Sequence, residues 1–318
     1  MAITRDLVLQ AIAMLAVLLL APLLTGIVRK AKARLLRRIG PPLIQPYRDL
    51  WRLLQKEVVL ADNASWLFRA TPYLVFATTW LAATLVPTFA TGLPFNWAAD
   101  LIGIVALLAL GRFFLALAGM DVGTSFGGIG SSREMMIASL AEPAMMMIVF
   151  SLALLAGSTQ LSTMAQYLLS PNVGLRVTLG LSLIALMVVG IAENSRIPVD
   201  NPATHLELTM VHEAMLLEYS GRHLALLELA SFIKLLLYLS LIACLFVPWG
   251  LVPADASWPA FGLGLLLYAA KMIAGVCILA GFETAIAKMR VFRVPTFVSA
   301  ALMLGLLGAL LLFVSRGL

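Results

Sequence analysis

Charge is scarce in this chain, and so is sulfur. Only 12% of its 318 residues are Asp, Glu, Lys or Arg, against 62% hydrophobic ones. A soluble core of this size cannot hide so much apolar side chain, so a water-soluble globule is excluded and the main solvent must be lipid. The two cysteines, Cys244 and Cys277, both fall inside apolar stretches. An iron–sulfur cluster generally takes four thiolates, so this chain cannot hold one by itself, and both cysteines read as small apolar side chains. There is no HExxH pair, and no Ser or Cys nucleophile with a matching His and acid. The glycine-rich segment 119–130, GMDVGTSFGGIG, lacks the lysine and spacing of a phosphate-binding loop, and no strand precedes it; it reads as a tight, close-packed turn. Internal repeats, including inverted repeats of the transporter type, are not visible.

What the chain has in abundance is long apolar runs. A bilayer core of about 30 Å takes roughly 20 apolar residues in helical form. Such runs fall at about 6–28, 72–91, 99–118, 134–157, 174–193, 231–252, 260–281 and 295–315. They are too long and too evenly apolar for barrel strands, so an all-α integral membrane protein with eight transmembrane helices in one membrane domain, 1–318, is expected. The first run is read as a retained helix, because the basic residues Arg29, Lys30, Lys32, Arg34, Arg37 and Arg38 follow it instead of preceding it. The connection 29–71 holds ten Lys or Arg, whereas 92–98, 158–173 and 253–259 hold none. The positive-inside rule then puts 29–71 in the cytoplasm and both chain termini outside. Arg133, then Arg196 and Arg222, then Lys288, Arg290 and Arg293 fall in the connections that must share its side. The net charge of +6 thus reflects topology, and nucleic acid is not needed to explain it.

Two cytoplasmic connections, 29–71 and 194–230, are too long to be simple turns. In the first, Gly40, Pro41, Pro42 and Pro46 must bend the chain. Beyond them Tyr47, Leu50, Trp51, Leu53 and Leu54 alternate with Arg48, Asp49, Arg52, Gln55 and Lys56 in a helical rhythm, which predicts an amphipathic helix on the membrane surface.

Ionisable groups inside a bilayer cost several kcal/mol unless they face protein, water or an opposite charge. This chain nevertheless places Arg112, Glu134, Glu142, Glu193, Lys234 and Lys271 within or at the ends of apolar runs. Glu134 and Glu142, eight residues apart, share a helix face about 12 Å apart along the axis, either linked by water or paired with a base on another helix. Pro143 and the run Met145, Met146, Met147 weaken and soften the turn beside Glu142. The second connection is acidic: Asp200, Glu207, Glu213, Glu218 and Glu228 are interleaved with apolar residues, an environment that raises some carboxyl pKa values toward what a proton relay needs. His205 and His212 lie seven apart with Glu213 nearby, compatible with a metal but not diagnostic of one, and none is assigned.

The segment that begins at Glu193, ENSRIPVDNPATHLELTMVHEAMLLEYSG, resembles the subunit 1 family of complex I, the NADH-quinone oxidoreductase, and within it the branch of hydrogenase-4 component C and the formate hydrogenlyase membrane subunit. RRIGPPLIQPYRDLWRLLQKE at 37–57 and SSREMMIASLAEP at 131–143 carry the same resemblance. Arg196, Pro198 and Asp200 keep an element of the quinone-reducing branch, but Val199 replaces its Phe, Ala203 and His205 stand where acids are expected, and the stretch to Glu218 and Tyr219 is longer. That departure favours the hydrogenase branch over quinone binding.

The resemblance implies a membrane anchor and energy-coupling subunit in the cytoplasmic membrane of a bacterium or archaeon. It joins hydrogenase large and small subunits and an iron–sulfur subunit to antiporter-like membrane subunits. The nickel–iron centre and iron–sulfur clusters belong to those partners, with no cofactor in this chain. Glu134, Glu142, Glu193, Arg196, Asp200, Glu207, Glu213, Glu218, Glu228 and Lys234 are the expected proton path or coupling residues. Arg37, Arg38, Tyr47, Arg48, Asp49, Lys56 and Glu57 are the expected docking surface, which anionic lipid headgroups could also explain. The alternatives are a quinone-site subunit of a complex I-type enzyme and a stand-alone ion transporter.

Overall fold

A computed structural model describes residues 2–170, 177–199, 211–254, 256–287, 289 and 293–317. Eleven helices make up nearly all of what is described: α1 (Ala2–Leu35), α2 (Gln45–Leu54), α3 (Trp66–Leu85), α4 (Leu101–Asp121), α5 (Ser125–Ala156), α6 (Leu161–Leu169), α7 (Val177–Glu193), α8 (His212–Leu216), α9 (Gly221–Phe246), α10 (Trp258–Ala285) and α11 (Val294–Gly317). Six of them, α1, α4, α5, α9, α10 and α11, are long and apolar enough to cross a membrane, and α7 is apolar but shorter. The chain is therefore an all-α, multi-pass membrane protein. The expected count of eight goes further than this, since α3 lies near the expected second span but is not among the six. Arg69, Pro72 and its threonines make α3 less apolar. The hydroxyls of Thr71, Thr78 and Thr84 donate to the carbonyls of Leu67, Leu74 and Leu81, which hides their polarity within the helix.

Helix structure extends into both long connections. α1 runs past the expected boundary to Leu35, carrying its basic residues out on a helical stem, and ends before Gly40 and the prolines. The amphipathic helix is α2, with Pro46 near its start and Pro46 and Leu50 buried. α9 begins at Gly221, so Arg222, His223 and Glu228 are helical residues and not loop residues. The glycine-rich turn is also shorter than expected. α4 and α5 are separated only by Val122, Gly123 and Thr124, with Thr124 accepting from the Gly127 amide as N-cap. Gly127, Gly128 and Gly130 are inside α5, because small residues let two helices meet backbone to backbone. A Cβ on Gly127 would strike the Gly119 carbonyl.

The bundle is built on α3 against α4 and α9, α5 against α4, α7 and α11, and α1 against α9 and α10. Helix ends gather in two sets. At one, two short strands, β1 (Ala90–Thr91) and β2 (Val252–Pro253), pair in parallel, and Arg5 donates to the Ala254 carbonyl. At the other, Lys32 near the end of α1, Arg196 after α7 and Glu283 near the end of α10 meet.

Candidate functional site: a buried arginine with three carboxylates

Arg112 is the centre of the charged interior. It lies on α4 beside Gly111, and its side chain is 6% exposed. Its Nε is 3.6 Å from Glu134 and its Nη1 donates to Glu142 at 2.8 Å, both on α5; its Nη2 donates to Glu193 at the end of α7. Lys234 of α9 reaches Glu193 at 2.9 Å. Five helix-borne charges from four helices thus form one network, in which a guanidinium and an ammonium offset three carboxylates. Such a cluster survives burial only because the donors and acceptors pair in good geometry. The shared face of Glu134 and Glu142 is bridged by the arginine itself. The two glutamates differ in environment: the Glu134 side chain is 8% exposed, whereas that of Glu142 is 40% exposed on the outer side of α5.

A cavity of about 570 Å³ opens onto this network, lined among others by Arg112, Glu134, Glu193, Asn194, Ser195, His212 and Lys234. Its walls are α3, α4 and α9, with apolar Val75, Leu108 and Leu227. Ser195, in a left-handed conformation, turns the chain out of α7, and the Arg196 amide donates back to the Ile191 carbonyl at 3.0 Å. Arg196 therefore leaves the network and forms a second one. It lies 3.4 Å from Glu283, whose fully buried carboxylate is also 2.7 Å from Lys32. Burial pushes the Arg196 guanidinium below its ordinary value, and the Glu283 carboxylate opposes the shift.

The expected relay residues divide. Glu134, Glu142, Glu193 and Lys234 come together. Arg196 stands apart with Glu283, and Glu228 faces Arg29, Asp49 and Arg52 on the α1–α2 side. Glu213 lies in α8 and Glu218 is half-buried just after it, neither on the cavity wall. Asp200 and Glu207 lie outside the described residues, as does His205. Lys271 is turned to another use: its ammonium donates to the Val247 carbonyl at 2.6 Å and to that of Trp249, capping α9. Of the expected docking residues, Arg37, Arg38, Arg48, Lys56 and Glu57 are exposed. Tyr47 donates to the Leu19 carbonyl, and Asp49 accepts from Gln45 at 2.9 Å and Arg52 at 3.1 Å, so both are engaged within the chain.

Two further features were not visible in the residue pattern. His212 joins the cavity wall, and Glu283 is the buried anchor of Lys32 and Arg196. For Glu283 a signal existed: it is the acid just ahead of the basic connection of Lys288, Arg290 and Arg293.

The sequence profile of the NADH dehydrogenase family matches residues 8–314. The chain belongs to that family. Formate hydrogenlyase subunit 4 of Escherichia coli (strain K12) is a family relative 35% identical over 288 residues, covering 90% of this chain and 91% of its own. Hydrogenase-4 component C of the same organism is 38% identical over 237 residues, 73% of each chain. A NADH-quinone oxidoreductase subunit of Ralstonia pickettii (strain 12J) is more distant, at 27% over 233 residues, 69% of this chain and 64% of its own. The fold matches a chain in the structure of the membrane-bound sulfane sulfur reductase, an archaeal respiratory membrane complex. That match has a TM-score of 0.80, 19% identity and coverage of 96% and 99%. The family resemblance read from 37–57, 131–143 and 193 onward therefore holds over nearly the whole chain, and its named relatives are subunits of membrane complexes.

Proposed function

We propose that the chain is the membrane anchor and proton- or energy-coupling subunit of a hydrogenase-4-like complex in a bacterial or archaeal cytoplasmic membrane. It would join a hydrophilic redox arm, which carries the nickel–iron centre and the iron–sulfur clusters, to antiporter-like membrane subunits. The observation that carries this reading is the Arg112 network, with one end in a cavity and the other at Glu142. An ionisable side chain on the outer face of a membrane helix is costly in lipid but useful where a companion membrane subunit covers it. Around it Ser132, Met136, Ser139, Pro143, Met146 and Phe150, all exposed, recur at alternating spacings of four and three, a helix-packing seam. The greater identity to the two hydrogenase-type relatives than to the NADH-quinone oxidoreductase relative supports the hydrogenase branch. The basic connections would face the cytoplasm, with Arg37, Arg38, Arg48, Lys56 and Glu57 in contact with the redox arm.

The test is proton movement by the whole complex in native membrane vesicles. Glu142→Gln and Glu207→Gln are expected to abolish turnover-linked proton movement in complexes that still assemble. Normal pumping by both variants overturns the proposal. Sensitivity to a quinone-site inhibitor would instead select the quinone-reducing reading.

A further inference from the structure

The two carboxylates that face the cavity are both held in ion pairs. Glu193 is bound by Arg112 and Lys234, and Glu134 lies against Arg112. The remaining ionisable side chain on the cavity wall is His212, at the start of α8. An imidazole is the side chain whose ordinary titration range lies closest to cytoplasmic pH. It lies beside Asn194 and Ser195 on the cavity wall, and the charged groups that share that wall are Arg112 of α4, Glu134 of α5, Glu193 of α7 and Lys234 of α9.

The glycine-rich segment explains how this imidazole is held. α8 packs on α5 and α4. A Cβ on Gly130 would come within 3.0 Å of the Val211 carbonyl, the Ala214 Cβ and the Met215 side chain, and one on Gly119 would come within 3.2 Å of Met215. Gly119 and Gly130 thus form a seat that admits a short helix against the backbone of α4 and α5, and the helix in that seat begins with His212. Gly128, in the same segment, has nothing near it.

We propose that His212 is the proton-exchanging group of this cavity, passing protons between the cytoplasm and the Glu134–Arg112–Glu193 network, and that the glycines at 119 and 130 are there to position it. This rests on the coupling function proposed above. The proton moves from water to one imidazole nitrogen and leaves from the other toward the cavity, so no other reactant is required.

The experiment measures protons moved per hydrogen formed by the assembled complex in inverted membrane vesicles across pH 5.5–8.5. His212→Gln is expected to lower that ratio at least about tenfold, the usual worth of a positioned proton-transfer group being larger still. In the unmodified complex the ratio should fall as pH climbs through the imidazole range near 6.5, and the variant should lose this inflection. His212→Ala should regain movement when imidazole is added, which a purely structural histidine would not show. Gly130→Ala should reproduce the loss and Gly128→Ala should not. An unchanged ratio and pH profile in His212→Gln, or a loss in His212→Ala and His212→Asn that imidazole leaves unmoved, overturns the inference. If Glu142→Gln stops proton movement while His212→Gln does not, the coupling function stands and only the role of His212 is lost; if neither does, the function itself fails.

Discussion

Arg112 contacts every acid that the sequence marks as misplaced in the apolar runs 134–157 and 174–193. An isolated guanidinium in hydrocarbon is costly, and so are three carboxylates that lose their guanidinium. Replacing Arg112 by Gln leaves Glu134, Glu142 and Glu193 facing one another with Lys234 as the one cation bonded to any of them among the described residues. The expected cost is about 3–5 kcal/mol, the range for breaking a buried pair from one side. Thermal unfolding in detergent, or the yield of assembled complex, would register it. Removing both partners, as in Arg112→Gln with Glu193→Gln, should cost less than the single arginine change, because fewer unpaired charges remain. A double variant worse than the single one would mean that Arg112 is not the counter-ion of Glu193.

Elements meet at junctions that link the two cytoplasmic connections. Ser220, ahead of α9, accepts from the Val59 amide at 2.8 Å and donates to the Val59 carbonyl at 3.0 Å. Gly221, with φ of 54°, lies so close to the carbonyls of Lys56 and Glu57 that a Cβ would strike them. Tyr219 stacks on Phe68 with ring centroids 4.0 Å apart and donates to the Phe68 carbonyl. Burial, reinforced by Asp121, raises its phenol above the ordinary range and keeps it a neutral donor. The segment after α2 is thereby pinned to the start of the helix that carries Lys234. At the other end of α9, Lys271 serves the helix and not the relay. Lys271→Met should lower stability by about 1–3 kcal/mol, the worth of hydrogen bonds to a charged donor, and leave protons moved per turnover unchanged. A loss of proton movement without a loss of stability would return Lys271 to the path.

At the scale of the whole molecule, the outer face of α5 carries the seam beside Glu142. Lipid is a poor cover for a half-exposed carboxylate. A nitroxide on Ser139→Cys should be mobile in the chain purified alone and become immobile when the complex assembles. A spectrum that does not change on assembly would place the partner elsewhere and remove the observation on which the coupling function rests.

Much of this protein follows from its residues alone. Its apolar runs make it a helical membrane protein, because unpaired backbone cannot remain in lipid. The acids in those runs mark the site, because charge there is too costly to be incidental. The motifs at 37–57, 131–143 and 193 onward place it in its family. Only the tertiary structure decided which charges meet, since contacts between α4, α5, α7 and α9 depend on helix packing that no local period encodes. It joined Glu134, Glu142 and Glu193 through Arg112, sent Arg196 to Glu283 and Lys271 to the end of α9, and seated α8 on Gly119 and Gly130 so that His212 faces the cavity.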